Sequence, residues 1–249
     1  MDDPRLDPQG PPLRSRQVMS QWWRDVAFLH WRVPPEVVAP MMPPGVRPDV
    51  HDGSSWVGLV PFLLTDGALG RSRPVPRLGT FLETNVRLYS VDDAGRHGVV
   101  FRSLEAERLA VVAAARLTLG VPYRWARLSL EPAGTVPEPE GVTFSYRCRR
   151  RGRSGPGGRV DVEVGAPVDE PSALHRFLTA RFGLHTRVLG QTLWVPNSHG
   201  PWPLRRARAI LIDDSLLTAA GLPGVAGSPP DSVLFSTGVR TVFGLPERL

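Results

Sequence analysis

The stretch TFLETNVRLYSVDDAGRHGVVFRSLEA, residues 80–106, decides the fold. Over 80–91 its side chains alternate with period two. Phe81, Glu83, Asn85, Arg87 and Tyr89 share one face, and Leu82, Thr84, Val86 and Leu88 share the other. DDAG (92–95) is a turn, and HGVVFRSLEA (97–106) returns as the hairpin partner. A polar row at Glu83, Asn85 and Arg87 then lies opposite an apolar row on the same strand.

Working outward, further short strands appear. WWRDVAFLHWRVP (22–34) is rich in aromatic and β-branched residues, and SSWVGLVPFLL (54–64) reads as a strand broken or bulged near Pro61. ARLSLEP (126–132), GVTFSYRCRR (141–150) and RVDVEVGAPV (159–168) form a meander. QTLWVPNSHGPWPLRRARAILI (191–212) is two strands around a turn, and SVLFSTGVRTVFGL (232–245) closes the sheet. Helices are fewer: a short one in 34–45, one over 107–120 stopped by Gly120 and Pro122, one over 172–183 capped by Ser172, and a short one in 213–221. Strands without βαβ alternation predict an α+β, mainly β fold: a closed or nearly closed antiparallel β-barrel with peripheral helices. Residues 1–17, polar and proline-rich, read as a disordered N-terminal arm, and 18–249 as a single domain.

Composition narrows the function. All 30 basic residues are arginine and the formal net charge is +6. Without lysine there is no side-chain amine for Schiff-base chemistry. The arginines are scattered along the chain, which argues against a nucleic-acid partner. The run RCRRRGRSGPGGR (147–159) reads as a solvated hairpin tip with no accompanying aromatic platform. The single cysteine, Cys148, allows no intrachain disulfide and fits a reducing cytoplasm. No signal peptide or membrane-length apolar run occurs, so a cytoplasmic protein without a membrane partner is expected. Six histidines without metal-ligand spacing predict no metal, and no nucleotide-binding or nucleophile-elbow motif predicts a cofactor.

Six ordered motifs, HWRVPPEVVAPMMPPGV, DGSSWVGLVPF, FLETNVRLY, GVVFRSLEA, GVPYRWARL and HGPWPL, resemble the YqjF-like family, a bacterial domain of unknown function. The likeness runs from about Arg16 to Leu249. The family is grouped with the acetoacetate decarboxylase-like fold, which implies a cone-shaped β-barrel with an internal pocket. In acetoacetate decarboxylase a lysine follows the proline of a G-x-P-K stretch, and a strand glutamate and an arginine complete the site. Here Gly120 and Pro122 match, but Tyr123 stands where the lysine would be; Glu83 matches the strand glutamate, and Leu117 replaces the acid after Arg116. The resemblance therefore implies the pocket and excludes the decarboxylase mechanism.

The candidate catalytic residues are Glu83 as acid or base, Tyr123 as proton donor or oxyanion partner, and Arg116 as a buried cation. Asn85, Arg87, His30, Trp31 and His199 are the candidate substrate-binding residues. Each has a plainer reading: a solvent-facing Glu–Arg pair, a packing tyrosine, a snorkelling arginine, a core His30 and a loop His199. Two functions stay open. One is a non-Schiff-base enzyme (isomerase, cyclase, hydratase or lyase) acting on a small oxo or carboxylate compound. The other is a protein that binds or senses a small molecule without turnover. A small-molecule ligand is the expected partner in both, and a homo-oligomer is compatible with either.

Overall fold

The computed structural model describes residues 7–76, 78–108, 120–134 and 136–249. Its strands are β1 (Met19–Val33), β2 (Val46–Pro48), β3 (Ser55–Leu69), β4 (Phe81–Asp92), β5 (His97–Ala106), β6 (Tyr123–Glu131), β7 (Thr143–Arg150), β8 (Gly157–Pro167), β9 (Gly183–Val188), β10 (Gln191–His199), β11 (Leu204–Asp214), β12 (Ser232–Phe243) and β13 (Glu247–Arg248). β4 and β5 are the expected hairpin, in register from Glu83–Ala106 to Val91–His97 with one irregularity beside Val86.

Hydrogen-bonded neighbours run β5–β6–β7–β8–β11–β12–β1–β3–β4 and return to β5, which closes a ring of strands. β9 and β10 bridge β5 to β12 by a second route, so the wall β12–β1–β3–β4–β5 is shared by two enclosures. Alternation along the wall sends side chains into both. Ala27, Leu29, Val57, Leu59, Val86 and Leu88 enter the core beneath β6–β8 and β11, around Phe144 and Phe235. From the other face, Val26, Phe28, Val60, Phe62 and Phe81 pack with Leu204 and Leu234, while Tyr89 packs with Phe177, Leu178, Leu184 and Val195. A strand buried on both faces resists fraying, and full burial of a side chain such as Phe28 or Leu88 stabilises by about 2–3 kcal/mol. The apolar row of β4 is thus covered by other strands of the ring.

Pro61 sits where the β1–β3 ladder slips between Arg24–Leu63 and Leu29–Leu59, as expected for a residue with no N–H to share. Asp25, at the slip, takes φ 47°. Three details differ from the sequence reading. The helix expected over 172–183 spans only Ala173–Thr179; its Ser172 cap is real, with a reciprocal bond to His175, but Gly183 begins β9. A Cβ at Gly183 would lie 2.3 Å from the Trp194 ring, so the bare glycine admits that indole between β9 and β10. β10 and β11 do not pair with each other; both pair with β12. The sheet is not wholly antiparallel, since β5 runs parallel to β6 and to β9.

The helix expected over 107–120 falls mostly on residues outside the described set, as does Arg116. Residues 7–17 form neither helix nor strand; Ser15 Oγ accepts from the Leu245 N–H (2.9 Å), and Gln17 donates to the Gly70 carbonyl (2.6 Å). Among the described residues, no helix is long and apolar enough to cross a membrane.

Candidate functional site

The site is built on the wall's second face. In the ladder Glu83 lies between Phe62 and Ala106, Asn85 between Val60 and Leu104, and Arg87 beside Gly58. Gly58 is also the partner of His30 on β1. A Cβ at Gly58 would lie 3.0 Å from His30 Cδ2 and 3.3 Å from Arg87 Cγ. The missing methyl therefore lets the imidazole and the arginine stem close over β3.

Glu83, Asn85 and Tyr123 come together. Glu83 and Asn85 are both 4% exposed. The Tyr123 hydroxyl donates to Glu83 Oε2 at 2.8 Å. Burial pushes the Glu83 carboxyl up to about 8, and the charge of Glu105 adds to the rise, against the lowering effect of the bonds from Tyr123 and Asn85. The carboxyl is therefore largely a neutral acid at pH 7. The Tyr123 phenol is pushed well above its usual range, first by burial and then by Glu83, so it stays a donor.

Arg87 turns away from Glu83. Its Nη2 donates to the Tyr89 hydroxyl (3.0 Å) and to the Leu178 carbonyl (3.1 Å). The Tyr89 hydroxyl lies 2.6 Å from His30 Nε2 and 2.9 Å from the Leu178 carbonyl. Burial, then the Arg87 and Arg181 guanidinium groups, hold the His30 imidazole well below its ordinary range. His30 is consequently neutral. Arg181 backs this network, donating to Phe177 (2.6 Å) and Asp49 with its guanidinium 4.9 Å from the Tyr89 ring centre.

The aromatic side of the enclosure is Trp23, Phe28, His199 and Trp202. Trp202 stacks on Trp23 (5.9 Å, 9°) and meets Phe28 edge-on at 5.1 Å. His199 lies 5.3 Å from Trp202, donates Nδ1–H to the Gly200 carbonyl (2.8 Å), and is pushed down chiefly by burial. Beyond Trp202 lies a cleft of about 560 Å³, lined by prolines including Pro8, Pro167 and Pro203. Trp202 lines that cleft and also stacks on Trp23, whereas neither Glu83 nor Tyr123 lines it. Buried polar groups normally find partners. Here Trp23 Nε1, His30 Nδ1, Asn85 Oδ1, Asn197 Oδ1 and Thr241 Oγ1 have none among the described residues. His30 and Asn85 belong to the same wall face, and His199 and Phe243, which touch Trp23, alternate in phase with Asn197 and Thr241.

Trp31 is not part of this group. It points into the other core, where its indole donates to the Ser228 carbonyl at 2.8 Å. Alternation along β1 already separates it from His30. Tyr89, Trp23 and Trp202 belong to the site although only Tyr89 had a period-two signal linking it to Glu83. The Leu178 carbonyl had none. Cys148 is buried in the first core, which pushes its thiol up and leaves it unreactive. Among the described residues, no three histidine, cysteine or acidic side chains cluster as a metal set.

The chain is thus a ring of strands with a second enclosure built on one wall, a buried acid paired with a phenol inside it, and no side-chain amine. Solved structures share this fold. The enduracididine biosynthesis enzyme MppR in complex with pyruvate superposes with TM-score 0.64 at 15% identity, over 97% of this chain and 94% of that one. Acetoacetate decarboxylase from Legionella pneumophila gives 0.63 at 14% identity, over 99% and 96%. The family model of the uncharacterised conserved proteins DUF2071 matches residues 20–240, and the chain belongs to that family. The uncharacterised protein YqjF of Bacillus subtilis (strain 168) is 28% identical over 207 residues, 82% of each chain.

Proposed function

We propose that the enclosure takes a small oxo or carboxylate compound and works on it by proton transfer, without a Schiff base, as an isomerase, cyclase, hydratase or lyase. The observation that carries this reading is Glu83: a buried carboxyl raised to about 8 and bonded to Tyr123, beside unpartnered Asn85 Oδ1. A perturbed acid in an enclosed site is a candidate for catalysis. With Tyr123 donating to Oε2, the acid proton of a neutral Glu83 belongs on Oε1. Arg87, further along the same strand face with its guanidinium turned to Tyr89 and Leu178, has no carboxylate partner among the described residues, and its charge favours an anionic compound. Asn85 would orient it. A cytoplasmic location and a small-molecule partner belong to the same reading.

The other function is binding or sensing without turnover, favoured by one feature: the cleft at Trp202 is lined by neither Glu83 nor Tyr123. Mass spectrometry of small molecules extracted from purified wild-type chain and from Glu83→Gln tests both. A small acid held by the wild type and lost from the variant supports the site. A compound held equally by both refutes it. Unchanged recovery of that acid after prolonged incubation with the wild type selects binding over catalysis.

A further inference from the structure

The sequence scatters its arginines, but the β6–β7 ladder gathers several on one outward face. Arg127 stands directly opposite Arg149, and Ser129 opposite Arg147. The Arg151 N–H donates to the Trp125 carbonyl (3.0 Å), which extends the same ladder by one rung. Ala126, Leu128 and Cys148, the alternate residues, point into the first core, so this set points out. Residues directly opposite share a face, and like charges there destabilise a sheet. Arg147 is relieved by Glu131 at 2.9 Å, whereas Arg127, Arg149 and Arg151 have no carboxylate partner among the described residues. The three rungs place cations about 7 Å apart along the strand.

One aromatic accompanies them. Trp125 is 38% exposed, its indole N–H donates to the Glu107 carbonyl (3.0 Å), and the Arg151 guanidinium lies 4.2 Å from its ring centre. The indole is thus pinned beside a cation. A ring held this way offers a face for stacking but cannot reach down into a bilayer, which favours a nucleobase over a lipid surface.

We propose that the outward face of β6–β7 at Trp125, Arg127, Arg149 and Arg151 binds single-stranded nucleic acid, its phosphates on the arginine rungs and a base on Trp125. This site is separate from the Glu83 enclosure and does not depend on what that enclosure binds. It departs from the expectation, drawn from arginine scatter, that no nucleic acid is a partner.

The test is fluorescence anisotropy of a labelled 20-nucleotide oligothymidylate with the full chain, across a salt series. Saturable binding that weakens with salt is expected. Arg127→Gln with Arg149→Gln should lower the logarithmic salt slope by about 1.4, at ~0.7 per single-strand phosphate contact. Trp125→Leu should weaken binding about tenfold with the slope unchanged, as loss of one stacked base does. The double variant should also melt higher, since repulsion is removed, which shows that it folds. No saturable binding at low salt overturns the proposal. So does a double variant with unchanged slope, a lower melting temperature in that variant, or binding to phosphatidylglycerol vesicles in place of the oligonucleotide.

Discussion

If Glu83 is a neutral acid inside the folded chain, stability must fall as pH rises through the range where only the unfolded chain has lost that proton. The folded carboxyl sits at about 8, above the ordinary 4.5. Between those values the native state binds one more proton than the unfolded state, so unfolding free energy drops with pH at ~1.4 kcal/mol per unit. The histidines lie on the other side. His30, His185 and His199 are held below 6.5, so they raise stability with pH only up to about 6.5 and are then flat. Asp25, raised to about 6, is mostly ionised above 6.5, and Glu105 and Asp214, which burial also raises, are common to the wild type and a Glu83 variant. Between pH 6.5 and 8 the difference between wild type and Glu83→Gln therefore reports Glu83. Integrated over that interval, with the slope fading as the carboxyl ionises near 8, the loss is roughly 1.5 kcal/mol. For a chain of 249 residues that is a fall in melting temperature of about 3–6 °C. Glu83→Gln keeps the shape and the acceptor for Tyr123 but carries no titrating proton, so its melting temperature should fall by about 3–6 °C less than the wild type's over the same interval. Scanning calorimetry of both chains at pH 6.5, 7, 7.5 and 8 measures it. Parallel curves for wild type and variant would refute the neutral-acid assignment.

Three more outcomes follow from single contacts. Gly58→Ala puts a methyl against His30 and Arg87 and should cost about 1–3 kcal/mol in urea unfolding, as overpacking does. Tyr123→Phe removes the donor to Glu83 Oε2, so the Glu83 carboxyl should titrate higher still in a carbon-13 NMR pH series; a lower value would contradict the hydrogen bond. Ser172→Ala removes the cap on His175 N–H and should cost about 1 kcal/mol of stability, read from the urea midpoint.

Much of the site was legible from one strand. Period two along 80–91 groups Glu83, Asn85, Arg87 and Tyr89, and the structure keeps them on one face. The same spacing misleads about charge. Glu83 and Arg87 share a face, but the guanidinium turns to Tyr89 and to the carbonyl of Leu178, which is 91 residues away in sequence. No local pattern announces that carbonyl, so the protonation of Glu83 is a tertiary outcome. Trp31 shows a converse error: its aromatic character suggested a ligand contact, while its phase relative to His30 places it in the other core. The longer strands, the β4–β5 hairpin and the β6–β7–β8 meander were readable, but the short β2, β9 and β13 and the partners of β10 and β11 were not. The expected turn PNSHGPWP (196–203) starts too early, since β10 runs on to His199, and both flanking strands pair with β12, β10 on the side of the second enclosure and β11 on that of the first. Gly183 reads as a helix end and acts as a strand start because Trp194 needs the space above it.

The central claim, that the Glu83 enclosure takes a small oxo or carboxylate compound, is tested most directly by isothermal titration calorimetry at pH 7. Wild type and Glu83→Gln are titrated with a panel of small oxo acids that includes pyruvate and acetoacetate. Saturable 1:1 binding of at least one of them to the wild type is predicted, weakened about tenfold or more in the variant through loss of a hydrogen bond from a buried acid. No binding of any of them to the wild type, or binding that Glu83→Gln leaves unchanged, would contradict it.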